Sequence, residues 1–176
     1  MNAFQLFSLE PALDLDQEPL RDSYQALAAK NHPDNGGQQE DFEKINQAYQ
    51  TLKSASQRLK LFMQVNGVEH NPRGAVSNDL MDLFMQVGAL LQETDAFIRK
   101  KSLASSFLAK ALLEGESMET QDKLSELLVI IETQQETITA RFSQNIELDT
   151  LPQLSRNLAF LEKWQAQLQQ RYGSLF

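Results

Sequence analysis

The sequence predicts an all-α protein in which an N-terminal helical hairpin is followed by a C-terminal three-helix bundle. The chain holds only 7 glycines and 5 prolines in 176 residues, and it has few runs of β-branched residues. This composition favours helices over strands. Apolar residues recur every three or four positions through most of the chain, as on the buried face of an amphipathic helix. Turn-forming residues concentrate in residues 33–37 and 66–78, where we expect loops.

The first long helix is expected over residues 17–30. Asp16 suits the N-cap, and Pro19 is tolerated in the first turn, where a backbone N–H has no helical acceptor. The helix must end before Pro33, because a residue that precedes proline avoids the α region. Its apolar face comprises Leu20, Tyr24, Leu27 and Ala28.

The second helix is expected to run without interruption over residues 38–65. The nearly heptad spacing of its apolar face is typical of a helix that packs antiparallel against a neighbour. That face comprises Phe42, Ile45, Tyr49, Leu52, Leu59 and Phe62. The natural neighbour is the helix of residues 17–30, so the two would form a hairpin with residues 33–37 at its tip. We place this domain at residues 1–66 and a linker at residues 67–78.

Residues 79–176 are expected to form the bundle. Apolar residues up to Leu112 indicate one long helix or two consecutive helices. If there are two, the break would fall at Gly88 or in the polar residues 92–95. Gly115 should end this segment.

The remaining bundle helices are predicted by their caps and their apolar faces. One is expected over about residues 118–143. The last should be capped by Thr150 and should have Pro152 in its first turn. Its apolar face comprises Leu154, Leu158, Leu161, Trp164, Leu168 and Tyr172.

Composition argues against several kinds of function. There is no cysteine, which removes disulfides, thiolate nucleophiles and cysteine-ligated metal centres. The net charge of −8 argues against a nucleic-acid partner, which needs a basic face. No apolar run reaches the roughly 18 residues that span a membrane, and the N-terminus lacks the features of a signal peptide. We therefore expect a cytoplasmic protein with no membrane partner, no cofactor and no metal site. In particular, we do not expect His70 to bind a metal.

The most informative motif is the tripeptide His32-Pro33-Asp34, in the loop between the first two long helices. A general base needs a pocket and normally a nucleophile at hydrogen-bond distance. Here Asn, Gly and Gln surround the tripeptide, so we expect no catalytic residue. Taken alone, the motif is compatible with an ordinary turn. A polar loop between packed helices also commonly contacts a partner, and the flanking sequence favours that interpretation.

Residues 20–62 resemble the J-domain of DnaJ-type co-chaperones. In that family a helix of the form apolar-basic-x-x-Tyr-x-x-Leu-Ala-x-Lys precedes His-Pro-Asp. The corresponding stretch here is Leu20-Arg21-Asp22-Ser23-Tyr24-Gln25-Ala26-Leu27-Ala28-Ala29-Lys30. The family then shows Phe-x-x-Ile-x-x-Ala-Tyr-x-x-Leu, and the matching residues are Phe42, Ile45, Ala48, Tyr49 and Leu52. A basic residue is usual shortly afterwards, where this chain has Arg58.

This resemblance implies a partner and a mechanism. J-domains bind a DnaK-type heat-shock chaperone and stimulate its ATP hydrolysis, so this chain would not itself be an enzyme. His32, Pro33 and Asp34 would dock near the interdomain linker of the chaperone, with Asp34 pairing with an arginine there. Arg21 and Lys30 would meet an acidic surface of the chaperone. The family often places further cations on this helix, at positions that hold Asp22, Gln25 and Ala26 here.

The sequence has neither the Gly/Phe-rich linker nor the Cys-rich zinc module of a full-length DnaJ. A J-domain at the N-terminus followed by a helical bundle resembles the layout of the HscB/Jac co-chaperones of iron–sulfur cluster assembly. Residues 4–9, 45–52 and 158–163 resemble stretches of that family. In that family a patch on the first and last bundle helices holds the cluster scaffold protein. The matching positions are Leu80, Met81, Phe84 and Phe160.

The same four residues could instead pack in the core, because apolar residues at helical spacing usually face inward. Phe160 lies beside the main stripe of its helix, however, and residues 80–85 are apolar almost all round theirs, which indicates an exposed patch. We therefore expect a co-chaperone that stimulates a DnaK-type chaperone and delivers an iron–sulfur cluster scaffold to it. The alternatives are a J-domain protein with an unrelated client and a helical adaptor that is not a chaperone.

Overall fold

The computed structural model describes residues 1–69 and 74–176, and over these ranges it contains α-helices and no β-strand. The α-helices are α1 (Ala3–Leu6), α2 (Gln17–Asn31), α3 (Gln39–Lys53), α4 (Ala55–Val65), α5 (Asn78–Leu103), α6 (Phe107–Thr139) and α7 (Leu151–Gly173). Short 3-10 turns occupy Pro33–Asn35, Ala140–Ser143 and Leu148–Thr150. The all-α fold class is confirmed. Residues 70–73, which include His70 of the expected linker, lie outside the described residues.

The described residues form two compact units. The first contains residues 1–69 and 139–155, and the second contains residues 74–138 and 156–176. We expected each domain to be one continuous stretch of sequence. The structure instead groups residues 139–155 with the N-terminal unit, and the domain boundaries drawn from sequence stay a prediction.

Helices α2 and α3 pack against each other in the first unit as the expected hairpin. Asp16 Oδ1 accepts a hydrogen bond from the Glu18 amide at 3.0 Å, so Asp16 is the N-cap of α2. Tyr24 Oη donates to Asn46 Oδ1 at 2.8 Å, and its ring stacks on Tyr49 with a centroid distance of 4.1 Å. The buried core of the hairpin and α1 comprises Phe4, Phe7, Leu20, Ile45, Ala48 and Leu52.

The second long helix is divided at Ser54, so the expectation of one helix over residues 38–65 is wrong. Ser54 has an extended backbone (φ −74°, ψ 122°). Its amide closes α3 by donating to the Gln50 carbonyl at 3.1 Å, and its Oγ accepts from the Gln57 amide at 3.3 Å. One serine therefore ends α3 and caps the start of α4.

Arg58, in the first turns of α4, is a buried charge that is held by backbone carbonyls. Its side chain is only 6% exposed. Nε donates to the Leu13 carbonyl at 2.9 Å, and Nη1 donates to the Leu52 carbonyl. Burial lowers the pKa of the Arg58 guanidinium, and the nearby Asp14 carboxylate opposes that shift. Arginine stays protonated under such shifts. The charged Arg58 side chain therefore links the segment before α2 to the end of α3 through its hydrogen bonds.

Helix α5 continues through both of the expected break points, Gly88 and residues 92–95. The joint to α6 lies instead at residues 104–106. There Ser106 Oγ accepts a hydrogen bond from the Ala109 amide at 3.1 Å, which caps the start of α6.

Gly115 lies inside α6. The expectation that it ends a helical segment is therefore wrong. A glycine in a helix costs about 1 kcal/mol relative to alanine. Leu113, Ser117 and Thr120 around it are buried, and packing of such a face provides most of the stability of a helix in a protein. Packing therefore outweighs the preference of glycine for a turn.

Helix α7 begins directly after a 3-10 turn that contains Thr150. Thr150 Oγ1 donates to the Glu147 carbonyl at 2.8 Å, a contact that leaves its acceptor sites available, so the N-cap role expected for Thr150 stays a prediction. Pro152 lies in the first turn, as expected. The buried residues of α7 include Leu154, Leu158, Leu161, Trp164 and Leu168.

Ion pairs join the helices of the second unit. Arg171 of α7 pairs with Asp95 of α5, with 3.1 Å between Nε and Oδ1. Lys123 of α6 pairs with Glu93 of α5 at 2.9 Å. These contacts and the buried leucines of all three helices make this unit a helical bundle. None of the described helices combines the length and the apolar character that crossing a membrane requires.

Candidate functional site

His32-Pro33-Asp34 lies where α2 ends and a 3-10 turn begins. His32 has ψ of 136°, the extended conformation that a following proline imposes. Its carbonyl accepts hydrogen bonds from the amides of Asn35 at 2.9 Å and Gly37 at 3.1 Å. The tripeptide is therefore part of a closed, internally hydrogen-bonded loop.

The side chains of the tripeptide are oriented by contacts within the loop and with α3. The Asp34 amide donates to His32 Nδ1 at 3.2 Å, so a neutral His32 carries its proton on Nε2. The imidazole also meets the ring of Phe42 edge-on, with 5.0 Å between centroids. Asp34 Oδ2 lies 3.5 Å from His32 Nδ1, yet the Asp34 side chain is 87% exposed. An accessible carboxylate on an ordered loop can accept hydrogen bonds from a cation of another protein.

The loop packs tightly against the end of α2. Asn35 Nδ2 donates to the Ala29 carbonyl at 2.8 Å. A Cβ atom added to Gly37 would lie 2.0 Å from the carbonyl oxygen of Asn31, so only glycine fits there. Gly36 has φ of +84° and open space around it. The two glycines thus have different roles, since Gly37 permits close packing and Gly36 permits the left-handed turn.

Both of the cations that were expected to bind the chaperone, Arg21 and Lys30, lie on the exposed surface of α2. Arg21 Nε lies 3.8 Å from the carboxylate of Asp22. Helix α2 also carries Glu18 in its first turn. Its charged side chains are therefore two cations and two anions, and the helix offers little net attraction to an acidic surface.

The contacts described for His32 and Asp34 are those of an ordered loop, and the expectation that neither residue is catalytic stays a prediction. Their contacts are with each other, with the loop backbone and with Phe42, which orders a loop but supplies no nucleophile. Among residues 1–69 and 74–176, no group of three or more His, Asp or Glu side chains is placed to hold a metal ion. The chemistry available here is recognition by a charged and rigid loop.

The residues expected to bind a client belong to the second unit, and the structure separates them into a buried and an exposed set. Leu80 is only 2% exposed and packs in the core, whereas Met81 and Phe84 are 38% and 42% exposed. Phe160 is partly exposed. Met85, which the expected site omitted, is 64% exposed and lies one position beyond Phe84.

Trp164 lies between the exposed residues of α5 and Phe160 of α7. Its ring centroid lies 5.7 Å from that of Phe84 and 5.8 Å from that of Phe160, and the residue itself is only 4% exposed. Phe160 and Trp164 are one helical turn apart, the spacing at which side chains of a helix meet. The sequence predicts Trp164 only as part of the apolar face of its helix, although its spacing from Phe160 is a signal that the two rings meet. We call Met81, Phe84, Met85 and Phe160 the aromatic–methionine patch.

A family model for the DnaJ domain matches residues 2–61. The co-chaperone protein HscB homolog of Neisseria meningitidis serogroup C is 39% identical over 75 residues, which cover 38% of this chain and 45% of that protein. The match therefore spans less than half the length of that relative. The HscB homolog of Colwellia psychrerythraea is 31% identical over 185 residues, covering 100% of this chain and 99% of the relative. Chaperone HscB from Vibrio cholerae has a similar fold, with a TM-score of 0.66, 22% identity and full coverage of both chains.

Proposed function

Because this chain belongs to the HscB family of J-domain co-chaperones, we propose that it stimulates ATP hydrolysis by a DnaK-type heat-shock chaperone and delivers an iron–sulfur cluster scaffold protein to it. The observation that carries the proposal is the rigid loop with the exposed carboxylate of Asp34. The nucleotide site belongs to the chaperone, and this chain acts on it only by binding.

Rigidity is what the loop contributes to binding. Proline fixes φ at position 33, and two amides hold the carbonyl of His32. The loop therefore loses little conformational entropy when it docks. The Asp34 carboxylate can then form a charge-assisted hydrogen bond with an arginine of the chaperone, which is the strongest class of polar contact available to an exposed side chain.

The aromatic–methionine patch is the surface that we propose for the scaffold protein. Its exposed methionines adapt to the shape of a partner, and Phe84 and Phe160 provide aromatic anchors that rest on a buried tryptophan. Leu80 lies in the core. It would contribute indirectly, by packing α5 against the bundle so that the exposed residues of the patch keep their positions. The patch gives the client a place on this chain while the loop engages the chaperone.

A single-turnover ATPase assay tests the proposal directly. A DnaK-type chaperone preloaded with ATP is mixed with this chain, with and without the scaffold protein. We expect the chain alone to accelerate hydrolysis, and we expect the chain and the scaffold together to accelerate it further. Absence of acceleration by a correctly folded chain would refute the co-chaperone function. Acceleration that the scaffold does not change would leave a co-chaperone for an unrelated client.

Truncation of the aromatic anchors should weaken scaffold binding. Replacing Phe84 or Phe160 with alanine should raise the Kd for the scaffold by about tenfold, because buried aromatic anchors supply most of the affinity of small interfaces. Isothermal titration calorimetry measures the change. Val129→Ala is the matched control, since Val129 is an apolar residue of the same unit that is also exposed. Equal effects of all three substitutions would contradict the assignment of the patch.

Chaperone docking should depend only weakly on salt. Because the charged side chains of α2 are balanced in sign, long-range steering is small, and we expect the apparent association rate to change less than about threefold between about 50 and about 300 mM NaCl. Asp22→Lys should make docking to an acidic chaperone surface faster and more salt-dependent. Stopped-flow measurement of the ATPase burst at several salt concentrations checks both. A steep salt dependence of the unmodified chain would show that other cations guide the encounter.

A further inference from the structure

The first turns of α6 expose an apolar face that the proposed function does not use. Phe107, Leu108, Leu112 and Met118 are 89%, 68%, 74% and 60% exposed. The opposite side of the same turns is buried in the bundle through Leu113, Ser117 and Thr120. We call the exposed side the outer α6 face, which comprises Phe107, Leu108, Ala111, Leu112, Gly115 and Met118.

The spacing of the outer α6 face is that of a helix that packs against another helix. Its residues follow one another at intervals of one and three positions and form a continuous stripe. A contiguous exposed apolar patch of this kind marks an interaction surface. The position of the stripe along a regular helix indicates that the occupant is itself a helix.

Gly115 supports a close helical neighbour. It lies inside α6, and a Cβ atom added there would meet nothing within 4 Å. The packing of this chain therefore does not require glycine at this position, although glycine is unfavourable in a helix. Ala111 stands one turn before it on the same face. Two small residues on the exposed stripe would let the backbone of a second helix approach closely.

The charged residues beside the stripe indicate which helix could pack against the outer α6 face. Lys110 precedes Glu114 by four positions, and both are exposed. Within residues 1–69 and 74–176, neither side chain forms an ion pair within 4 Å. A helix that ran antiparallel to α6 with the same sequence would bring its Glu114 to Lys110 and its Met118 to Phe107. The face is thus complementary to itself in both charge and apolar residues.

We propose that the outer α6 face pairs with the outer α6 face of a second copy of this chain, as an antiparallel helix pair around a two-fold axis near residues 112–113. Such an isologous contact uses one surface twice and closes on itself. It would contain two equivalent ion pairs between Lys110 of one copy and Glu114 of the other. The area available is small, so the dimer should be weak, with a Kd on the order of 10 to 100 μM.

Sedimentation velocity of the full chain, from about 1 to about 300 μM, tests the proposal. We expect a concentration-dependent monomer–dimer equilibrium. Leu108→Glu with Leu112→Glu should leave a monomer throughout, and Gly115→Leu should raise the Kd at least about tenfold. All of these positions are exposed, so far-UV circular dichroism should show an unchanged helix content. Val129→Glu, farther along α6, is the control that should leave the dimer intact.

Charge reversal tests the antiparallel register. Lys110→Glu and Glu114→Lys should each raise the dimer Kd about tenfold, because each creates like-charge contacts across the two-fold axis. The double variant should return the Kd to within about threefold of the original value. A double variant that stays as weak as the single variants would overturn the proposed register.

Two results would overturn the dimer itself. One is a chain that stays monomeric at the highest concentration. The other is a dimer that survives Leu108→Glu with Leu112→Glu. Lys110, beside the outer α6 face, also allows an anionic membrane to compete for the same face. Flotation of a strictly monomeric chain with phosphatidylglycerol vesicles, lost in that same double variant, would assign the face to lipid and reject the second copy.

Discussion

Replacing Asp34 with asparagine is expected to lower the stimulation of chaperone ATP hydrolysis at least about tenfold, because it removes the charge from the exposed carboxylate for which we propose a charge-assisted hydrogen bond with a cation of the chaperone. Asparagine has the same shape and keeps one acceptor oxygen, so the loss reports charge. The backbone amide of residue 34 still donates to His32 Nδ1. Single-turnover hydrolysis at a fixed concentration of the variant measures the effect.

The fold should be unaffected by this substitution. The Asp34 side chain is 87% exposed, and its Oδ2 lies 3.5 Å from His32 Nδ1, so the contribution of this contact to stability is small. Asp41→Asn, the same chemical change on an exposed carboxylate of α3, serves as the control and should alter stimulation less than about twofold. Stimulation by the Asp34 variant that equals that of the Asp41 variant would remove the central contact of the proposed function.

Replacing Arg58 with methionine is expected to lower the free energy of unfolding of the first unit by about 3 kcal/mol. Methionine fills a similar volume but leaves the buried carbonyls of Leu13 and Leu52 without their donor, and each such loss costs about 1 to 3 kcal/mol. Urea unfolding followed by far-UV circular dichroism measures the change.

Arg141→Met is the control for this stability prediction. Arg141 belongs to the same unit but is exposed, and exposed substitutions usually change stability by less than about 0.5 kcal/mol. If the Arg58 and Arg141 variants unfold at the same urea concentration, the buried guanidinium contributes nothing to the fold. A lower midpoint for the Arg58 variant alone would confirm the link between the segment before α2 and the end of α3.

The start and end of α2 could be predicted because each depends on one residue. Asp16 caps the helix, and Pro33 excludes His32 from the α region. The break between α3 and α4 was not predicted. The apolar spacing continues across it, and this spacing gives no sign that one residue has an extended backbone. A signal was nevertheless present, because Ser54 stands three positions before Gln57, the pattern of a helix-capping serine.

Gly115 and Leu80 show why local sequence could not settle the bundle. A lone glycine is compatible with a helix end and with a helix interior, and only tertiary packing decides between them. Leu80 and Phe84 are both apolar and one turn apart, yet one is buried and the other is exposed. That distinction depends on which side of α5 the other helices cover, which spacing within one helix does not reveal.

The position of Trp164 has a practical consequence for measurement. It is the single tryptophan of the chain, and its indole lies within 6 Å, centroid to centroid, of the rings of both Phe84 and Phe160. Indole fluorescence responds to the polarity and hydration of its surroundings, and a ligand that covered those two rings would change both. The unmodified chain therefore carries its own optical probe, and occupancy of the aromatic–methionine patch can be titrated from emission without a label.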